Sequence, residues 1–244
     1  FIMSNATTQN SNPDGATFVF TGSGTCKLTL SQSNTLTALP IEVSSGTTLN
    51  ADSSILSGSG KFILHDGATL ETSHATGIDG IFNLDQSPEL SEAAGYSFGG
   101  SLAQVTGSLM PETVSDLIIK NSAGVTLTNS VTINGTLELT NDMFFLGGNN
   151  LQYGTEGTLK YSGTSVQETR DVEFPAENGP KNLIINSTKD VDLHASRSIS
   201  GYLDISSGKL DLGTHTMTVS SASYNGSNRF VKTSNGGKLI MPVS

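Results

Sequence analysis

Apolar side chains along this chain come in pairs two residues apart. Leu117/Ile119, Val125/Leu127, Val131/Ile133, Leu137/Leu139 and Phe144/Leu146 follow one another in quick succession. A spacing of two turns one face inward and the other outward, which is the signature of a half-buried strand. Gly, Asn, Ser or Asp separates nearly every pair and supplies the turns. Nothing recurs at i, i+3, i+4 and i+7, so helices should be nearly absent.

The pattern repeats. Asp116 to Tyr153 aligns without a gap to Asn182 to Val219, at an offset of 66 residues. Leu117, Ile119, Val125, Leu127, Ile133, Leu137 and Leu139 match Leu183, Ile185, Val191, Leu193, Ile199, Leu203 and Ile205. Gly135 matches Gly201 and Gly147 matches Gly213, whereas Thr126, Thr128 and Phe145 become Asp192, His194 and Asp211. A fixed inside with a free outside leaves that record. Upstream, the stretch from Phe98 through Gln104 resembles that from Tyr161 through Gln167.

Continuing through Leu151/Tyr153, Leu159/Tyr161, Val166 and Val172/Phe174, one 66-residue unit holds nine short strands. An antiparallel sandwich favours strands every ~8–12 residues, wider than the spacing here. A right-handed parallel β-helix with three strands per coil fits: three coils per unit, each of about 22 residues. The 244 residues then make roughly 11 coils, on the order of 50 Å of rod at ~4.8 Å per coil. Residues 1–15 lack the strand grammar and read as an N-terminal extension or cap, leaving 16–244 as a single β-helix domain. The irregular stretch near 78–95 reads as a loop leaving the rod, with a helical turn over Pro88 to Ala94.

Composition narrows the function classes. Charged residues make up 14%, while Ser and Thr contribute 63 residues and Asn 18. A coiled coil would be rich in Ala, Glu, Lys and Leu, and a disordered chain would pair low hydrophobicity with high charge. The net charge of −10, with twelve scattered cations, argues against nucleic acid and against an anionic membrane surface. No apolar run approaches the ~18 residues that span a bilayer, so no membrane insertion is expected. No signal peptide is visible, and with Phe1 in place of an initiator Met the chain reads as a piece of a larger or processed protein. Cys26 is the only cysteine, which excludes an internal disulfide and a Cys-based zinc site. It reads as a small hydrophobe beside a strand.

Candidate chemistry is sparse. His65, His74, His194 and His215 read as wall or turn residues, and no catalytic motif appears in a strand–helix context. His74 lies near Glu71 and Asp79 with no nucleophile marked. In the coil assignment Asp192 and Asp211 stack on adjacent coils with Asp190 nearby, where like charges ~5 Å apart repel unless a cation such as calcium, or splaying of the side chains, relieves them; a hydrated acidic wall is the plainer reading. Asp171 and Glu173 flank Val172 on what reads as one strand. Sequons at Asn5, Asn134, Asn186 and Asn225 are expected by chance in so Ser/Thr/Asn-rich a chain. The absence of Trp speaks against an aromatic sugar platform, and the interrupted Thr126/Thr128 pattern against an ice-binding ladder. No catalytic, cofactor or metal residue is therefore assigned.

The segments from Asp116 and from Asn182, with the closing stretch from Asn228 to Val243, resemble the strand repeats of large Bacteroidota cell-surface proteins. In that family such repeats often precede a sorting domain for type IX secretion. The likeness covers roughly residues 95–243. It implies export, an extracellular surface location and a non-enzymatic stalk or adhesin role, with a surface glycan, a protein or further repeats as partners. A β-helix that binds or cleaves polysaccharide is the second expectation, and a subunit of an extracellular filament the third.

Overall fold

The structure, a computed structural model, describes residues 2–3, 17–30, 39–141, 143–224, 229–233 and 235–242. Every strand pairing among them is parallel, and the one helical element is a short 3-10 turn, Gly77–Ile81. The chain winds as a β-solenoid.

Its backbone is one long sheet. Cys26, Leu49, Leu70, Tyr96, Leu117, Leu137, Leu159, Leu183, Leu203 and Ala222 are successive register partners. Nine steps from Cys26 to Ala222 average about 22 residues, as a solenoid with short strands and tight corners requires. Leu117 reaches Leu183 in three steps, by way of Leu137 and Leu159, so the 66-residue repeat is three coils. The long sheet holds ten rungs, about one coil short of the sequence reading, and at ~4.8 Å per rung it extends roughly 45 Å.

Two further walls complete each coil. The second runs just ahead of the long sheet, through strands such as Ile41–Val43, Val131–Ile133 and Thr216–Thr218. The third follows it, through Leu56–Gly58, Gln104–Val105, Val125–Thr126 and Phe144–Phe145. In the second repeat unit the third wall fuses with the long sheet, because Asn182–Asp192 and Tyr202–Asp211 run round the corner as continuous strands. Their register slips between Ile185 and Asp190, which lets the pair bend.

Inward residues form stacked apolar columns. Leu49, Leu70, Tyr96, Leu117, Leu137, Leu159, Leu183 and Leu203 are all fully buried. One coil contributes too few such side chains to exclude water alone, so burial is achieved only by stacking. Cys26 lies on Gly24–Lys27, packed against this core.

Three expectations are corrected. Residues 78–95 do not leave the rod: Phe82–Leu84 pairs with Leu56–Gly58, Glu89–Leu90 pairs with Ile63–Leu64, and Ile78, Ile81 and Ala94 are buried. The extra length makes the step from Leu70 to Tyr96 the longest, and the helical turn falls at Gly77–Ile81 rather than after Pro88. The ninth strand of the unit, at Val172/Phe174, is a turn closed by the Phe174 amide on the Arg170 carbonyl, 2.8 Å. Pro175, next in line, has no amide to give a ladder. Within residues 1–15, Ile2–Met3 pairs with Thr29–Leu30, and the rest of that segment lies outside the described residues.

The matched glycines have two separate reasons. A Cβ on Gly135 would stand 2.8 Å from the Ser115 carbonyl oxygen, and one on Gly201 2.7 Å from that of Lys181. The neighbouring coil passes too close for any side chain. Gly147 and Gly213 instead adopt left-handed φ, 61° and 54°.

Candidate functional site

Chemistry gathers on the third wall and at the corner beneath it. Glu168, Asp192, Asp211 and Lys232 are register partners on successive coils. The expected stacking of Asp192 on Asp211 is therefore present, one rung longer at either end. Lys232 Nζ meets Asp211 at 2.5 Å and holds that carboxyl below its usual range. Asp192 is pushed up, first by burial and then by Asp211, Asp190 and Glu168. Lys209 stands beside Asp190 at 3.9 Å. Lys232 and Lys209 thus offset Asp211 and Asp190, while Asp192 stays crowded. Among the described residues no three His, Cys, Asp or Glu side chains converge as a metal ion would require.

Between these coils and the break in the second wall lies a polar corner. Arg197 occupies the repeat position of Val131, and its side chain is 5% exposed. Its Nε donates to the Phe174 carbonyl at 2.7 Å, one terminal nitrogen binds Asp171, and the guanidinium lies 5.9 Å from the Phe174 ring centroid. His194 Nδ1 is 2.7 Å from Thr169 Oγ1, and Nε2 is 3.0 Å from Asp171 and 2.8 Å from Arg197. The Asp171 carboxyl is held low by His194, with Arg197 adding to it.

Thr169, His194 and Asp171 thus share the connectivity of a nucleophile, base and acid. The geometry defeats that chemistry. Thr169 is fully buried, and its oxygen already accepts the His194 amide at 3.1 Å, so no substrate can reach it. In the first unit Thr106 Oγ1 accepts the Thr128 amide at 3.0 Å in the same way. The contact is a recurring corner tie.

Glu173 is fully buried beside it. Tyr161 donates to its Oε1 at 2.9 Å, the Arg170 amide donates at 2.8 Å, and the Arg170 guanidinium lies 3.3 Å from Oε2. Burial pushes the carboxyl up against those three influences. Tyr153 adds a hydrogen bond to the Glu173 carbonyl, 2.7 Å. Asp171 and Glu173 therefore leave a turn in opposite directions, one outward and one inward, rather than sharing a strand.

Comparison with family models, with curated proteins and with solved structures returns no match. The site is read from its own geometry.

The other candidates disperse. Glu71 binds Asn50, Ser97 and Lys120; His74 Nε2 lies 3.0 Å from the Ser54 carbonyl; Asp79 accepts the Ser108 and Leu109 amides. His65 pairs with Glu42 at 3.0 Å, and His215 closes a turn on the Leu212 carbonyl just as Asn149 does on Leu146. Asn134 and Asn186 lie on described coils, whereas Asn5 and Asn225 lie outside the described residues. On the outer face of the long sheet a shallow trough opens over Ile118 and Ile184, between Asp116, Glu138, Lys160 and Asp204. Lys160 and Glu138 pair across it at 3.1 Å.

Sequence reasoning missed the buried polar corners. Gln104 and Gln167 are nearly fully buried; the first donates to the His74 carbonyl at 2.8 Å and the second accepts the Gly163 amide at 3.0 Å. Their recurrence in the upstream alignment was the available signal. His194 was read as solvated, but its side chain is 17% exposed and bonded at both nitrogens.

Proposed function

We propose that this chain is a non-enzymatic stalk or adhesin segment of an exported cell-surface protein. The observation that carries the reading is how the wall spends its charge. Nine of the twelve Lys and Arg side chains sit in ion pairs, and eight of those pairs join different coils. Lys120 reaches back two coils to Glu71 at 2.5 Å. Each exposed pair contributes little alone, but a network repeated along a rod resists sliding and bending of coil on coil. A rigid spacer needs that property. The resemblance to Bacteroidota surface repeats, and the expectation of type IX export, belong to this same reading.

Antibody raised against the chain should label intact, unpermeabilised cells of the source organism. Label that appears only after lysis overturns the surface location. A polysaccharide-binding or polysaccharide-cleaving wall is the second reading, favoured by the trough over Ile118 and Ile184. Its spacing of about 5 Å per rung suits a chain of sugar rings laid along the rod. A glycan array with and without calcium, followed by a reducing-end assay on any hit, tests it: cleavage overturns the non-enzymatic reading, and an array without hits removes the second.

A further inference from the structure

The repeat supplies its own control. Two units share one backbone, so a difference between equivalent outward positions is not demanded by the fold. On the third wall that difference is large. Val105, Thr126 and Phe145 stand in register on three successive coils, with Val105 39% and Phe145 40% exposed. Met143, on the same side as Phe145, is 37% exposed, and Leu102 at the adjoining corner is 70% exposed. The second unit places Glu168, Asp192 and Asp211 at the equivalent positions of the column, and Lys209 in place of Met143. Val105, Phe145 and Met143 are thus apolar where the second unit carries Glu168, Asp211 and Lys209, and Thr126 is uncharged where it carries Asp192.

The apolar half is a surface rather than a set of loose side chains. A Cβ on Gly124 would come within 2.9 Å of the Phe145 ring, so the ring lies along the wall over that glycine. Exposed apolar side chains gathered on one side of a wall, here on alternate rungs with Thr126 between them, mark contact sites. The acidic half begins one coil further on: Glu168, Asp192 and Asp211 in a row, with Lys232 at the far end. Burial, and after it the neighbouring Asp211 and Asp190, already disfavour the charge on Asp192.

We propose that this stripe docks an extended segment of a partner protein, one that carries apolar side chains followed by lysine or arginine. The apolar side chains would cover Leu102, Val105, Met143 and Phe145, and the cations would meet Glu168 and Asp192. The row Val105 to Phe145 and the row Glu168 to Asp211 span two register steps each, and with the one coil between them the stripe covers about five rises, roughly 24 Å at ~4.8 Å each, the reach of about seven extended residues. A second copy of this chain is the poorer occupant, because each copy brings a net charge of −10 and its own acidic row.

The probe is a fluorescently labelled octapeptide with leucine and phenylalanine in its first half and lysine in its second, followed by anisotropy. Control peptides carry glutamate for lysine, or serine for the apolar residues. The parent protein should bind the lysine peptide saturably, and each control at least roughly tenfold more weakly. Phe145→Asp with Val105→Glu installs the residues that the second unit already tolerates there. Asp192→Asn with Glu168→Gln empties the acidic half. Both, like the parent, should melt cooperatively, and both should weaken binding about tenfold. Equal binding of the glutamate peptide, unchanged binding by folded variants, or no saturable binding below roughly 1 mM overturns the proposal. So does sedimentation showing that the parent dimerises and Phe145→Asp does not, which would make the stripe a self-contact.

Discussion

At the scale of single residues, the repeat poses paired questions that substitution can answer. Gly201 and Gly213 are both matched glycines, but they are glycine for different reasons. At Gly201 an added methyl meets the Lys181 backbone at 2.7 Å; at Gly213 nothing lies within 4 Å and only the left-handed φ objects. Gly201→Ala should cost about 2–3 kcal/mol, from a clash with unyielding backbone. Gly213→Ala should cost about 1 kcal/mol. Urea unfolding of both variants measures the gap, and equal losses would contradict the close-approach argument. A second pair concerns Arg197. Its partner Asp171 is 81% exposed, whereas Arg197 is buried. Asp171→Ala strands a buried guanidinium and should lose about 1 kcal/mol, less than for a fully buried pair because water also reaches that side. Arg197→Met leaves a carboxylate that water readily solvates, and fills a position where the first unit keeps Val131. It should be the milder change, its main loss being the donor to the Phe174 carbonyl.

At the scale of the strand, the acidic row gives a pH signature. The Asp192 carboxyl lies above its ordinary value of 3.8 in the folded chain, so the fold holds that proton more tightly than the unfolded chain does. Its favourable contribution is present below 3.8 and is lost as pH rises through the raised folded value. Asp211 is the mirror case: held low by Lys232, it contributes above 3.8 and loses that contribution as pH falls through its lowered value. Asp192→Asn should therefore stabilise the protein at pH 7 by roughly 0.5 kcal/mol, the order of a relieved cross-strand repulsion, and be neutral at pH 3. Asp211→Asn should destabilise at pH 7. Thermal melts across pH 3–7 check both signs. The Asp192–Asp211 stack at the centre of this row was legible in the sequence, because an offset of 66 and an i, i+2 rhythm fix which residues stack, whereas Glu168 and Lys232 at its ends were not read from it. What was not legible has a common physical cause. Val172 and Phe174 alternate like a strand, yet the turn at Arg170 and the missing amide of Pro175 decide otherwise. Glu173, Thr169 and Gln167 are polar letters that a hydrophobic pattern counts as outside. They point inward because corner amides and carbonyls, left unpaired by the sheets, need partners.

At the scale of the molecule, the solenoid makes a sharper commitment than a globular fold could. Each coil packs on its immediate neighbours, with Lys120 to Glu71 a side-chain reach across two, so whole coils are exchangeable units whose removal should leave the remainder intact. Asp116 and Asn182 are equivalent positions, and the strand Gly95–Phe98 that now pairs with Asp116–Ile119 would meet an equivalent run at Asn182–Ile185. Deleting residues 116–181 therefore joins Ser115 to Asn182 in register on the long sheet. On the third wall, Gln104–Val105 would take Val191–Asp192 in place of Val125–Thr126. One element does not transfer: the deletion removes Asp171 and Phe174, which serve the buried Arg197. The excision should carry Arg197→Val, the residue that the first unit uses at that position. The shortened chain should unfold cooperatively and lose three coil rises, about 14 Å, from its maximum dimension in solution scattering. The same excision without Arg197→Val should be less stable, since it leaves an unpaired charge inside. A shortened chain that collapses in both forms would show that the units depend on contacts beyond their neighbours, and the coil-by-coil account of this wall would fail with it.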